Sequence, residues 1–168
     1  GIDLGNKNCV VGVPNENAVD IIRNESFSRI SPTMVTYTND RRFGGELSRQ
    51  NQMEYYQTTI THLKHLIGLK YDSEDRRQFE AITTCKLEEL EDGYTGIKVQ
   101  FKDSDLLLRP EQCVTFLLKN LTEMARKEYP EAEKCVISIS PWWSHIHRIS
   151  LLNSARVGNV DCLSLINS

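Results

Sequence analysis

The last third of the chain places the strongest constraint on the fold. After Pro110, the residues Val114, Leu117, Leu118, Leu121, Met124 and Ala125 recur at spacings of three and four. That is the stripe of an amphipathic helix with proline in its first turn, and Pro130 closes it. Cys135 to Ile139 is a short apolar strand of the buried kind. Ser144 to Val157 predicts a second helix, with Ile149, Leu152 and Ala155 on one side, and Val160 to Ile166 a final strand. Strand, helix, strand at this scale is a βαβ unit with a right-handed crossover, so two strands of the sheet run parallel.

The opening of the chain is built differently. Residues 1–13 form two short apolar runs around a polar turn at Asn6-Lys7-Asn8, Pro14 to Asn17 makes a second turn, and Ala18 to Ile22 a third strand. Tight turns between β-branched runs predict an antiparallel meander. Between meander and βαβ unit the pattern is irregular. It contains a strand near Met34–Thr38, a turn at Asn39-Asp40, and a breaker at Gly44-Gly45 before a helix from Glu46. Ile60, Leu63, Lys64 and Ile67 fall at helical spacing, and Gly68 caps them. Three strands are expected at Thr83–Leu90, Ile97–Phe101 and Leu106–Leu108, with turn chemistry at Asp92-Gly93 and Thr95-Gly96. The expected organisation is an α/β core of residues 1–30 and 109–168, with an α+β subdomain inserted at 31–108.

Composition narrows the function classes. The 20 Lys and Arg against 23 Asp and Glu leave a net charge of -3, which offers no basic field for nucleic acid and no charge run for a membrane surface. No apolar stretch has the length of a transmembrane helix. Five cysteines stand far apart with no C-x-x-C pair, the pattern of free buried thiols in a reducing compartment, with the cytoplasm as the expected location. His62 and His65 approach ligand spacing, but neither they nor His145 and His147 have a Cys or acidic partner in a known metal arrangement. Of Trp142 and Trp143, at least one indole is expected to pack on the strand ends.

Four collinear segments resemble the heat shock protein 70 family. GIDLGNKNC at 1–9 resembles its first phosphate loop, and HLKHLIG at 62–68 the segment holding its cleft lysine. ISISPWWSHIHR at 137–148 resembles its strand-to-helix turn, and ARVGNVDCLSLIN at 155–167 the approach to its Ile-Asn-Glu-Pro. Asn6, the TGIKVQF run at 95–101 and the aromatic pair favour the large 110 branch. The resemblance implies the first lobe of a bilobal nucleotide-binding domain: an actin-like ATPase, ribonuclease H-like core with an inserted subdomain.

The same resemblance assigns roles. Gly5, Asn6, Lys7 and Asn8 form the phosphate loop, where backbone N–H groups converge on an anion and Gly5 allows close approach. Asp3 holds Mg²⁺ through its water shell, and Lys64 is the lysine that stabilises charge on the transferring phosphate. ATP or ADP with Mg²⁺ would be the cofactor of the full-length protein. A heat shock protein 70-type chaperone and unfolded clients would be its partners.

Two departures stand out. Ser168 occupies the position of the family's glutamate, and serine has no charge to offer a hydrated Mg²⁺ and is a poor base at neutral pH. Ser140 falls where the family has its relay proline, with Pro141 one place later. The expectation is a lobe that holds ATP structurally, serves nucleotide exchange and hydrolyses weakly or not at all. Its alternatives are an active ATPase of the same fold and a nucleotide-free interaction scaffold. With one wall of the cleft, residues 1–168 alone are expected to bind nucleotide weakly or not at all.

Overall fold

The computed structural model describes residues 1–168. Three strands open it, β1 (Ile2–Leu4), β2 (Asn8–Asn15) and β3 (Ala18–Ile21), paired as an antiparallel meander. β2 runs through Pro14 and Asn15, so the second turn contracts to Glu16 and Asn17. Ile2, Leu4, Cys9, Val11 and Val13 alternate onto one buried face of these strands, while Asp3 points to the open side. Asn24, one of two N-x-S/T asparagines, is buried in the loop that follows. Its side chain accepts from the N–H groups of Ser26 and Ser28 and donates to the Ile30 carbonyl.

A two-residue strand β4 (Ser31–Pro32) returns to pair with β2. β5 (Val35–Tyr37), β6 (Arg42–Gly44) and β7 (Thr59–Ile60) then make a small antiparallel sheet, with α1 (Glu46–Asn51) and a 3-10 turn at Tyr56–Thr58 between its strands. The expected helix through Ile60 to Ile67 is therefore shorter. Ile60 is a strand residue, and only Leu63–Leu66 form the single turn α2. The cause is tertiary. Thr59 is drawn into a buried hydroxyl cluster, 2.9 Å from the Thr36 hydroxyl, which itself lies 2.5 Å from that of Ser48. His62, left-handed at φ 54°, redirects the chain before α2.

Helix α3 (Glu74–Glu80) falls in a stretch whose charges hid it. Only Phe79 of its residues is buried, and Ser73 caps it by accepting from the Arg76 N–H. β8 (Lys86–Glu89), β9 (Thr95–Phe101) and β10 (Ser104–Leu108) form a second antiparallel sheet. Thr95-Gly96 is a strand start rather than a turn. Gly96 sits where a Cβ would come within 2.8 Å of Leu107 and 2.9 Å of Leu90, so the residue is small for packing.

The last third follows the expected order: α4 (Pro110–Glu128), β11 (Lys134–Ile139), α5 (His145–Val157) and β12 (Asp161–Asn167). Val114, Leu117, Leu118, Leu121 and Ala125 of α4 are all buried, each large one contributing about 1.5–3 kcal/mol by leaving water. The buried face of α5 is Leu151, Ser154 and Ala155; Ile149 and Leu152 are exposed instead. Thr115 of α4 donates to the Ser154 carbonyl and fixes that rotation. β11 runs parallel to both β1 and β12, giving the main sheet the order β12-β11-β1-β2-β3. This is an α/β fold of the actin-like ATPase kind, with the carboxyl ends of β1, β11 and β12 at one edge. No helix is long and apolar enough to cross a membrane.

Candidate functional site

Ligands of open α/β sheets bind outside the carboxyl ends of the parallel strands. Here that edge gathers the β1–β2 turn, the β11–α5 turn and the end of β12. The turn after β1 closes tightly: a Cβ at Gly5 would overlap the Asn8 carbonyl oxygen, so only glycine fits. Asn6 is half-buried, while Lys7 and Asn8 are exposed.

Thr33, which no motif in the sequence marks, ties this loop down. Its N–H donates to the Lys7 carbonyl at 2.8 Å and its hydroxyl to the Gly5 carbonyl at 2.9 Å, and its Oγ1 lies 3.0 Å from Cys9 Sγ. With two loop carbonyls engaged behind it, the loop's shape is over-determined. Only the pairing of Ser31-Pro32 with β2 brings Thr33 here, and no local signal announces that pairing.

Asp3 accepts a hydrogen bond from Ser138, its partner across the parallel β1–β11 pair. Lys64, half-buried, is near enough to Asp3 for the carboxylate to favour its charge, but burial outweighs this and lowers its pKa. Its Nζ lies 5.5 Å from the centroid of the Trp143 ring. Asn6, Lys64 and Ser140 line one cavity of about 690 Å³, which extends between Phe79 and Trp143. The structure thus brings Asp3, Gly5, Asn6 and Lys64 to one edge, with Lys7 and Asn8 on the exposed rim.

Asn6 Oδ1 is buried and has no donor. A buried acceptor left unpaired costs about 1–3 kcal/mol, so this loop suits a ligand that brings a donor, such as water held by a cation. The residues present therefore fit hydrated Mg²⁺ with a nucleotide phosphate: an anionic outer-shell group in Asp3, an acceptor in Asn6 and a cation in Lys64.

The far side of the edge carries Asn167 and Ser168. The Ser168 N–H and hydroxyl both donate to the Ile139 carbonyl, at 2.9 and 3.0 Å, which sets Ser168 against the end of β11. Arg148 donates to the Trp143 carbonyl at 3.2 Å and to Asn167 Oδ1 at 2.9 Å, bracing the turn against β12. Trp143 packs on the core and stacks with His147, whereas Trp142 is 90% exposed. His62 and His65 flank Phe79, their ring centroids 6.4 Å apart, and no third ligand joins them.

Comparison with known proteins gives the family. The profile of the family described as Hsp70 protein matches residues 1–168. A heat shock protein homolog of Saccharomyces cerevisiae is 28% identical over 99% of this chain and 24% of its own length. Heat shock protein 88 of Dictyostelium discoideum is 29% identical and heat shock protein 110 of Caenorhabditis elegans 25%, each over 99% of this chain and 22% of its own length. The chain spans about a quarter of the length of these relatives. With a family profile matched from end to end and relatives in the 110 branch, the chain belongs to the Hsp70 family.

Proposed function

We propose that this chain is the first lobe of a chaperone nucleotide-binding domain that holds Mg-ATP as a structural ligand. In the intact cytoplasmic protein it would act with a heat shock protein 70-type chaperone as its nucleotide-exchange partner, and on unfolded clients through other regions. Residues 1–30 and 109–168 would form the core subdomain and 31–108 the insert. The observation that carries the reading is the over-determined loop at Gly5–Asn8 beside Asp3 and Lys64, with an orphaned acceptor on its Asn6.

Bound Mg²⁺ would neutralise phosphate charge. The loop backbone would receive the phosphate, Asp3 would accept hydrogen bonds from the metal's waters, Asn6 Oδ1 would accept one more from them, and Lys64 would face the terminal phosphate. Holding and hydrolysing use different groups. Serine at 168 leaves the attacking water without the carboxylate that the family carries at that position.

Calorimetric titration of the full-length protein with Mg-ATP tests binding. Heat with a micromolar dissociation constant, together with phosphate release no faster than in a Lys64→Ala control, is the expected result. No heat from a folded sample would overturn the holding function, and turnover well above that control would restore an active ATPase.

A further inference from the structure

The cysteines that look scattered in sequence are not all scattered in space. Cys135 on β11 and Cys162 on β12 are direct partners across the parallel pair. Adjacent strands lie about 4.7–4.9 Å apart, inside the window of about 4.4–6.8 Å that disulfide Cα atoms occupy. The Cys162 thiol donates to the Ser164 carbonyl at 3.4 Å, on its own strand, so no hydrogen bond ties it to another element. Directly after the pair, the register shifts: Val136 pairs with Ser164, leaving Leu163 of β12 as the extra residue of a bulge that lets β12 bend where a cross-link would need it to.

Access separates this pair from the rest. Cys9, Cys85 and Cys113 are buried, whereas Cys135 and Cys162 are half-exposed. A cavity of about 350 Å³ opens on Cys135 between Gly1, Val11, Val13, Ala125 and Ala132.

We propose that Cys135 and Cys162 form a cross-strand dithiol that peroxide oxidises to a reversible disulfide. One thiol, deprotonated, attacks a peroxide oxygen; the O–O bond breaks and the departing hydroxide is protonated to water, leaving a sulfenic acid. The second sulfur gives up its proton and attacks the sulfenic sulfur, breaking the S–O bond and releasing a second water. Two thiols lose two electrons, and one hydrogen peroxide becomes two waters. The bond closes the βαβ unit at its base, opposite the edge that carries Asn167 and Ser168, and pins the register of β12 on β11.

Burial pushes the Cys135 thiol up to about 11 and raises that of Cys162 as well. Because the thiolate is the nucleophile, the reaction is slow at neutral pH and gains about tenfold per pH unit between 7 and 9.

The test exposes the full-length protein to hydrogen peroxide, blocks free thiols with iodoacetamide, and maps non-reduced peptides by mass. A linked pair of peptides containing Cys135 and Cys162, two hydrogen masses lighter and separated by dithiothreitol, is expected, and neither Cys135→Ser nor Cys162→Ser should form it. Sulfinic acid at either thiol without linkage, linkage to another cysteine or between chains, or unchanged thiols would overturn the proposal. The wild-type map decides this even where a variant fails to fold.

Discussion

Two short segments meet at the edge of the sheet, and they are held there in opposite ways. Residues 5–8 are held through their backbone: Gly5 closes the turn, and Thr33, brought up by β4, bonds two of the loop's carbonyls. Residues 62–68 are a single helical turn between a left-handed His62 and a left-handed Gly68, and they owe their position to what surrounds them. Gly68 lies against α5, where a Cβ would meet Ile146 at 2.9 Å, and its N–H donates to Glu111 Oε1 at 3.1 Å. The phosphate loop is thus shaped by its turn and by hydrogen bonds to its backbone, and Lys64 is delivered by side-chain packing. Damage to the first should abolish binding, whereas damage to the second should weaken it.

The largest effect is expected from Gly5→Ala. The added methyl overlaps a backbone oxygen that cannot yield without opening the β1–β2 turn. We expect a stability loss of about 3 kcal/mol by denaturant unfolding, and Mg-ATP affinity of the full-length protein to fall beyond calorimetric detection. Gly68→Ala should cost about 2 kcal/mol, from φ of +64° and the Ile146 contact. Affinity should then fall only as far as it does on loss of Lys64. Equal loss of binding in both variants would break the comparison.

Thr33→Val sharpens it. The variant keeps the Thr33 N–H bond to Lys7 but leaves the Gly5 carbonyl unpaired. A cost of about 1.5 kcal/mol is expected, with weaker nucleotide binding in proportion. Lys64→Ala should do the reverse, changing stability by less than about 0.5 kcal/mol while lowering affinity about tenfold, or ~1.4 kcal/mol. An unfolding midpoint that drops more in Lys64→Ala than in Thr33→Val would show that Lys64 is chiefly a packing residue.

This division also explains what could be read from sequence. The stripe on α4 and the strand Cys135–Ile139 were legible because each buries one continuous face, and the β1–β2 turn because its glycine and polar residues act locally. Residues 59–80 were not. Thr59 is claimed by the Thr36 hydroxyl, which Ser48 holds in turn, and α3 offers a single buried residue, Phe79, so no period marks it. On α5, Ile149 and Leu152 looked like the core face, but rotation is set by Thr115 reaching Ser154 from another helix. The Thr33 strap and the Cys135–Cys162 pairing arise from strand register, which no spacing along the chain encodes. At the site, the loop residues were visible and the groups that brace them were not.

The smallest expected effect probes the packing-dependent side through pH. His65 and His147 line the cavity beside Lys64, and burial is the leading cause that lowers the pKa of each below its ordinary value. His62 and Lys64 add to that lowering at His65, and His65 does so at His147, while Asp75 of α3 opposes it at both. Both rings are therefore neutral in the folded protein where unfolded histidine already takes up protons. The unfolded state binds more protons below about pH 6.5, so stability held above that pH declines as pH falls toward the lowered folded values. The denaturant midpoint should fall over that window, and Trp143 fluorescence should change with it, because protonated His147 would stack on the indole. His147→Gln should flatten part of the decline and leave the Gly5 loop unaffected. A midpoint as pH-dependent in the variant as in the wild type would mean that the proton is taken up elsewhere.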